Sequence, residues 1–323
     1  MRIAILGMGA VGGYFGARLL QAGGKVVFLR RRGRAAEELP RRLRLSSPLG
    51  DWEGGVTVCP VDEFDDAVDV VLVALKAFDL EPALASIAHL VAGGAQVLPM
   101  LNGVRHIDVI ARRFPTSPSL GGLAHLMVSH DGRGHITHGN SLHHFRFGQI
   151  SGAADDVLDA LAALAQAAHV DAVHTPTVQA QMWSKFQMLA AFSAMCCLTR
   201  ASVGQMMAAD NGKRLMERAL EETALTAAAE GHACPASHLD ETRQLLTQAA
   251  SPFNASMLRD LLAARRTEAE HIVGDMVRRA RQHGLDTPLL ECGWAALQVH
   301  EIQMAVTNGS PALQLTVAAN AAD

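Results

Sequence analysis

The chain has no apolar run long enough to cross a membrane, no CxxC cysteine pair and few aromatic residues. The missing apolar run argues against a membrane protein. The first residues predict a β-strand rather than a signal peptide, so we expect a cytoplasmic protein. Five cysteines without a CxxC pair predict buried free thiols in a reducing compartment. Aromatic residues make up 4% of the chain and the formal net charge is −4, which argues against a nucleic-acid-binding protein.

Lysine is also scarce, since only four of the 28 basic residues are lysines. Two of them, Lys76 and Lys185, stand in apolar sequence surroundings. An ammonium group can give up a proton, whereas a guanidinium group in a protein effectively cannot. Because the chain uses arginine for ordinary surface charge, a lysine in an apolar segment indicates a chemical role.

The N-terminal segment has the pattern of a strand, a glycine-rich turn and a helix. An apolar run predicts a buried strand before the turn, and helical apolar spacing follows it. The turn carries a G-x-G-x-x-G motif, and we assign to cofactor binding its residues Gly7, Met8, Gly9, Ala10, Val11 and Gly12. In this setting the first glycine permits the turn, the second lets backbone approach a pyrophosphate, and the third lets the helix pack on the strand. The motif therefore predicts a dinucleotide site.

The next apolar run, residues 25–29, ends where a dinucleotide-binding domain contacts the adenosine ribose. Arg30 follows this run, and no acidic residue occurs before Glu37. A carboxylate would repel a 2′-phosphate, whereas a guanidinium binds it through two parallel charge-assisted hydrogen bonds. The sequence therefore predicts NADP(H) as the cofactor, with Arg30 at the 2′-phosphate. A solvated basic loop is the alternative.

Strands and helices alternate over the first half of the chain, and helical periodicity dominates the second half. Further strands are predicted at 69–75, 95–101, 119–129, 142–150 and 171–174, with a helix at 155–169. Helix ends or starts in the second half are predicted at Gly231, Gly284, Pro288 and Gly309. We therefore predict an α/β Rossmann-type domain over residues 1–175 and an all-α domain over residues 176–323, with a ligand cleft between them.

Five motifs, in this order, resemble those of the ketopantoate reductase (2-dehydropantoate 2-reductase) family. They are the N-terminal GxGAVGGYFGARL, LKAFD around Lys76, NGV at Asn102, the W-x-K of Trp183 and Lys185, and the late SMLRD…RRTE of residues 256–268. The resemblance covers nearly the whole chain. It implies a Rossmann-type domain followed by a helical domain similar to the C-terminal domain of 6-phosphogluconate dehydrogenase. It also implies reduction of a 2-keto acid by NADPH in pantothenate biosynthesis.

The resemblance implies that Lys185 is the general acid that protonates the developing alkoxide. Burial would lower the pKa of such an amine toward the range in which proton donation is efficient. Glu268 is implied to bind the cofactor ribose or to keep Lys185 protonated. The structural alternatives are a Lys185 amine that extends into solvent, and a Glu268 that pairs with Arg265 or Arg266 at helical spacing.

Four further residues are implied to contact ligands. Asn102 would lie between the nicotinamide and the substrate, although an Asn before Gly also forms turns. Lys76 follows a buried strand and could reach the cofactor phosphate or ribose, or lie in solvent. Met127 aligns with a backbone contact to the cofactor. Ser256 resembles a helix N-cap, whose hydroxyl would hold the substrate carboxylate or only cap the helix.

Three positions depart from the family pattern. The resemblance places substrate-binding asparagines where this chain has Leu189, Ser193 and Val203. Leu189 and Ser193 stand at i+4 and i+8 from Lys185, on one helix face. Ser193 can still donate a hydrogen bond and remains a candidate substrate contact, whereas the other two side chains cannot. The sequence therefore predicts the reaction type and leaves open whether ketopantoate or a related keto acid is the substrate.

Other functions share this domain order. Another β-hydroxyacid or opine-type dehydrogenase is one alternative, and a catalytically weak NADPH-binding regulator is a second. A buried pair of Lys185 and Glu268 argues against the regulator, because sensing would not need a buried amine. The expected partner is a small 2-keto acid, with no nucleic acid and no membrane. An all-helical second domain often dimerises, so a homodimer stays open.

Six of the fifteen histidines lie within a short segment, at His125, His130, His135, His138, His143 and His144. Their spacing matches no compact zinc pattern, and no cysteine accompanies them. We therefore predict histidines on strand faces and no metal site.

Overall fold

A computed structural model describes residues 1–31 and 40–307, and the chain divides into two compact units, Met1–Met182 and Trp183–Asp323. The first unit is α/β and the second is helical, as the sequence predicts. The division falls inside a long helix, Val178–Thr199, rather than before it. The domain boundary at residues 175 and 176 stays a prediction.

Two sheets form in the first unit. In chain order the strands are β1 (Arg2–Leu6), β2 (Lys25–Arg30), β3 (Arg42–Ser46), β4 (Trp52–Gly55), β5 (Thr57–Pro60), β6 (Val70–Val73), β7 (Gln96–Pro99), β8 (Leu120–His130), β9 (His135–Gln149) and β10 (Asp171–His174). One sheet has the order β5-β2-β1-β6-β7, and the other has the order β10-β9-β3-β4 with β8 paired to β9.

The first sheet is parallel throughout, so its strands end at one common carboxyl edge. β6 is buried along its whole length, as is β1 apart from its first residue, because the sheet is covered on both faces. This double burial explains why these strands are continuous apolar runs in the sequence. At the carboxyl edge, the turn that follows β1 lies between the segments that follow β2 and β6.

Three strands are not predicted by continuous apolar runs, namely β3 and β4 of the second sheet and β5 at the edge of the first. In β3, Leu43 and Leu45 are buried whereas Arg42 and Arg44 are exposed, so the pattern alternates. β4 and β5 are short and also lack a continuous apolar run. β9 begins at residue 135, earlier than the strand predicted at 142–150, because pairing with β8 extends through polar residues.

The α-helices within the described residues are α1 (Ala10–Gln21), α2 (Leu80–Ser86), α3 (Ala88–Ala92), α4 (Arg105–Arg113), α5 (Asp156–Ala167), α6 (Val178–Thr199), α7 (Val203–Met207), α8 (Gly212–Ala229), α9 (Ala236–Leu246), α10 (Ser256–Leu262), α11 (Val273–Gln282) and α12 (Pro288–Thr307). Gly231 and Gly284, with φ of 82° and 67°, follow the ends of α8 and α11. Pro288 begins α12, as predicted, and Gly309 lies outside the described residues. None of the described helices is long and apolar enough to span a membrane.

All five cysteines are free thiols, but only two of them are buried. Burial raises the pKa of Cys196 to about 11 and that of Cys197 to about 12. Cys59 and Cys234 are partly buried and Cys292 is exposed. The prediction of buried thiols is therefore wrong for these three cysteines.

Candidate active site

The turn after β1 has the geometry that a dinucleotide pyrophosphate requires. Gly7 has a φ of +113°, and a Cβ at Gly12 would lie 2.0 Å from the Gly7 carbonyl oxygen. By contrast, a Cβ at Gly9 would meet no atom within 4 Å, and Gly9 is exposed. Gly9 is also the N-cap of α1 and has no side chain that could cap this helix start. Backbone N–H groups at the helix start therefore face an open surface, which fits a phosphate.

The other predicted turn residues, Met8, Ala10 and Val11, are partly buried in the same turn. Arg30 is the last residue of β2 and is partly exposed at the carboxyl edge of the sheet. The next residue, Arg31, forms an ion pair with Asp79 at 2.9 Å. The remaining arginines of the basic run and the first acidic residue after it lie outside the described residues.

Lys76 and Asn102 follow neighbouring parallel strands, β6 and β7, and so lie at the same edge as the glycine turn. Lys76 is exposed, although its sequence surroundings are apolar. Asn102 is partly buried in a turn in which Gly103 has a φ of 85°. Met127 lies in β8 of the other sheet and is 42% exposed.

In the second unit, α6 holds Lys185 among buried apolar neighbours that include Trp183 and Phe186. The residue as a whole keeps some exposed area, whereas its amine is buried among protein atoms. The resulting desolvation lowers the pKa of Lys185 from 10.5 to about 8, and the charge of Glu268 opposes this shift. Glu268 is itself buried. Such an amine stays an ammonium at neutral pH but gives up its proton more readily than a lysine in solvent.

Glu268 lies in the loop between α10 and α11, not on a helix. The alternative in which Glu268 pairs with Arg265 at helical spacing is wrong. The guanidinium of Arg265 instead forms an ion pair with the carboxylate of Asp260, at 2.9 Å. The N–H and the hydroxyl of Thr267 donate to one carboxylate oxygen of Glu301 at 2.6 and 2.8 Å. These bonds hold the loop at the residue before Glu268.

The α6 face that carries Lys185 continues to Leu189 and Ser193. Lys185, Met188 and Leu189 form a partly exposed strip on this largely buried helix, and Ser193 is buried with 3% of its surface exposed. The fold therefore places the general-acid candidate and Leu189 on one partly exposed strip, and Ser193 lies on the same helix face but is buried. The third position that departs from the family pattern, Val203, is completely buried at the start of α7.

Ser256 is not the N-cap of α10. The cap position is Ala255, whose extended backbone precedes the helix, and no side chain of the described residues caps this end. Ser256 is the first helical residue and is exposed. The N-cap prediction is wrong by one position, and a substrate contact by Ser256 stays a prediction.

Sequence patterns did not reveal what holds the start of α6. The ring of Trp183 stacks on His232 at 4.6 Å, and the guanidinium of Arg279 lies 5.3 Å from its centre. Arg279 in turn pairs with Glu230 and, at 3.0 Å, with Asp275. The motif W-x-K identified Trp183, but its partners lie in the loop after α8 and on α11 and carry no local signal.

The six clustered histidines lie on β8 and β9. His138 is buried, its ring nitrogens contact the Ser47 hydroxyl at 2.9 Å and the Leu142 carbonyl at 2.8 Å, and burial lowers its pKa. Within the described residues, no group of three or more His, Cys, Asp or Glu side chains is arranged to hold a metal ion. The contacts of His138 are those of a structural residue.

Models of the family described as "Ketopantoate reductase PanE/ApbA" and of its C-terminal domain match residues 3–152 and 177–301. The chain belongs to the ketopantoate reductase family. It is therefore a dinucleotide-binding oxidoreductase that acts on a CH–OH group, of the 2-dehydropantoate 2-reductase type. The resemblance seen in the sequence is confirmed.

Individual proteins similar to this chain are distant in sequence but cover nine tenths of it or more. A 2-dehydropantoate 2-reductase of Halobacterium salinarum is 28% identical over 90% of this chain and 95% of its own length. The uncharacterized oxidoreductase YkpB of Bacillus subtilis is 27% identical over 94% of this chain and 100% of its own length. The ternary structure of a D-mandelate dehydrogenase with NADH and anilino(oxo)acetate has a TM-score of 0.83 at 21% identity, over 94% of this chain and 99% of that chain. At that identity the structure shows a shared fold alone.

Proposed function

We propose that this ketopantoate reductase family member reduces a 2-keto acid to a 2-hydroxy acid with NADPH, the substrate being ketopantoate or a related keto acid. The observation that carries the proposal is the buried amine of Lys185, whose pKa desolvation lowers to about 8 against the opposing effect of the Glu268 charge. A regulator that only senses a dinucleotide has no use for a buried amine, which is costly to desolvate.

When bound, NADPH supplies the hydride that adds to the keto carbon. Lys185 donates one proton to the keto oxygen, so that the product carries a hydroxyl group and the amine is neutral until water reprotonates it. Glu268 favours the ammonium form before the transfer, because its charge raises the pKa of Lys185. Ser193 offers a hydroxyl to the substrate on the same helix face.

The choice of NADPH rests on Arg30. The fold alone does not select NADPH, since a D-mandelate dehydrogenase of this fold was solved with NADH. The 2′-position alone distinguishes the two cofactors, and the residue at the end of β2 is the one that contacts it in such domains. An arginine there favours the phosphate, whereas an acidic residue would favour the free hydroxyl.

We expect kcat/KM for keto-acid reduction to be constant near neutral pH and to fall about tenfold per pH unit above about pH 8, because only the ammonium form of Lys185 can donate. Glu268→Gln removes the charge that raises this pKa, so the decline should begin at lower pH. Initial rates of NADPH oxidation, measured from neutral pH to above pH 8, give the pH profiles of the wild type and of Glu268→Gln. A wild-type profile without the alkaline decline would contradict proton donation by Lys185.

A comparison of two keto acids tests whether the substrate is ketopantoate itself or a related keto acid. Ketopantoate has a hydroxyl that 2-ketoisovalerate lacks, and a site built to bind a hydroxyl rejects the deoxy analogue by about 10⁴ or more, whereas an apolar pocket scarcely distinguishes the two. With Leu189 on the open strip of α6, we expect kcat/KM for the two keto acids to differ by less than about 100-fold.

The double variant Leu189→Asn, Ser193→Asn should raise the preference for ketopantoate, because each new hydrogen bond to a buried polar group contributes about 1–3 kcal/mol. Leu189→Met, which keeps the volume and adds no hydrogen bond, is the matched control and should leave the ratio unchanged. A wild-type ratio of about 10⁴ in favour of ketopantoate would show that Leu189 does not govern the choice.

A further inference from the structure

The loop that carries Glu268 is bound to one face of α12. Trp294, Gln298 and Glu301 stand at i, i+4 and i+7 along this helix, so their side chains lie on the same face. All three form hydrogen bonds with the segment 267–270, which lies between α10 and α11. α12 therefore contacts this loop over about two helical turns.

Glu301 binds the residue immediately before Glu268. Its Oε1 accepts from both the N–H and the hydroxyl of Thr267, at 2.6 and 2.8 Å. Hydrogen bonds to an ionised acceptor are roughly twice as strong as neutral ones. Thr267 is buried, so water competes little for these bonds. One side chain of α12 therefore restrains both the backbone and the side chain of the residue that leads into Glu268.

The other end of the segment is anchored at Glu270. Its carboxylate accepts from the indole N–H of Trp294 at 2.8 Å and from the guanidinium of Arg278 at 2.9 Å, and Arg278 also donates to its backbone carbonyl. Burial raises the pKa of Glu270, but the hydrogen bonds outweigh burial and hold this pKa below its usual range. Glu268 thus lies between two anchored residues, of which Thr267 is the adjacent one.

The placement of Glu268 matters because its charge acts on the amine of Lys185. Glu268 is buried, and its charge raises the pKa of Lys185 against the effect of desolvation. A charge–charge interaction weakens with distance. Because Glu268 lies in a loop rather than on a helix, the distance between the two groups depends on the contacts that hold the loop.

Other titratable groups surround Glu268 and Lys185. On and beside the loop they are Asp260, Arg265, Arg266, Glu270, His271 and Arg278, and beside α6 they are Cys234 and His238, which both contact Ser184. Arg265 pairs with Asp260, and Arg278 pairs with Glu270. A substitution at Glu301 leaves all of these groups in the chain, so it tests the anchoring of the loop and not their charges.

We propose that Glu301 is a positioning residue for the reduction and that, by binding Thr267, it holds the carboxylate of Glu268 in place. Held there, the carboxylate keeps the amine of Lys185 in the ammonium form that donates the proton. The inference rests on the proposed function, in which Lys185 is the proton donor. Loss of the contact between Glu301 and Thr267 should therefore resemble a partial loss of Glu268.

The test is the pH profile of kcat/KM for keto-acid reduction by the full-length protein, because this profile reports the pKa of the essential acid in the free enzyme. We expect Glu301→Ala to move the alkaline decline about 0.5–1 pH unit lower, in the same direction as Glu268→Gln and less far. Glu301→Gln keeps an oxygen that accepts from Thr267, so its profile should stay close to wild type. An equal shift in Glu301→Gln and Glu301→Ala would overturn the proposal, because Glu301 would then act through its own charge.

A matched control lies on the same helix. Glu291→Ala removes an ion pair of α12 with Arg281, at 2.9 Å, and should leave the pH profile unchanged even if it lowers Tm. The double variant Glu301→Ala, Glu268→Gln should decline at the same pH as Glu268→Gln alone, because the first change acts through the second residue. A further shift in the double variant would contradict this route.

Thr267→Val tests the same contact from its other side and does not depend on whether Glu301→Ala folds. It removes the hydroxyl that donates to Glu301 and keeps the branched shape of the side chain. The alkaline decline should move in the same direction by a smaller amount, because the N–H of residue 267 still donates. Thr267→Ser keeps the hydroxyl and should match the wild type. Tm, measured for each variant, identifies those that are folded at the assay temperature, and an unchanged profile in a folded Glu301→Ala or Thr267→Val protein would refute the proposal.

Failure of the proposed function gives a different result. A wild-type profile without an alkaline decline refutes proton donation by Lys185 before any variant is made. A wild-type decline that moves in Glu268→Gln but not in Glu301→Ala refutes only the role of Glu301. A decline that moves in neither variant refutes the roles of both carboxylates and leaves proton donation by Lys185 intact.

Discussion

Lys185→Ala is expected to lower kcat for keto-acid reduction by about 10²–10⁴, the usual share of general acid catalysis, while the Kd for NADPH stays near its wild-type value. The amine is the group that donates the proton, and the residues assigned to the dinucleotide phosphates lie on the other unit of the chain. Steady-state NADPH oxidation at saturating keto acid gives kcat, and titration of the free protein with NADPH gives Kd.

Two further variants separate proton donation from charge. Lys185→Arg keeps a positive charge, but a guanidinium cannot release its proton in a protein, so kcat should fall about as far as in Lys185→Ala. Lys213→Ala removes an exposed lysine whose amine lies 3.9 Å from the Glu217 carboxylate, and it should leave kcat unchanged. Substantial turnover in Lys185→Arg would mean that Lys185 acts through its charge alone.

Arg30→Asp is expected to raise the Kd for NADPH by about 10²–10³, because it removes charge-assisted hydrogen bonds worth about 1.5–3 kcal/mol each and places a like charge against the 2′-phosphate. NADH carries no phosphate there, so its Kd should change severalfold at most. Binding titrations with both dinucleotides measure the difference.

Arg44→Asp is the matched control, because Arg44 is exposed on β3 and the substitution makes the same change in net charge. It should leave both Kd values near those of the wild type. If Arg30→Asp weakened NADPH and NADH equally, Arg30 would have no part in recognising the phosphate.

The sequence predicted most of the α/β unit because the strands of its parallel sheet are covered on both faces. Such strands are continuous apolar runs, as in β1 and β6, and they can be recognised without knowledge of their partners. β3 and β4 were missed because an alternating or glycine-containing pattern is stable only beside a specific neighbour. The N-cap at Ser256 was misplaced for a related reason, since the residue type is common at caps but the backbone decides where the helix begins.

By itself the sequence determined the dinucleotide turn, since the positive φ at Gly7 and the close contact at Gly12 arise within six consecutive residues. It also placed Lys185, Leu189 and Ser193 on one helix face, because helical periodicity is local. Only the tertiary structure decided the pKa of Lys185, which depends on the protein atoms around its amine and on Glu268 in a distant loop. The ion pair of Arg31 likewise needs strand order, which brings segments 48 residues apart to one edge. Burial and charge proximity are properties of chain segments that meet in space, and no local pattern encodes them.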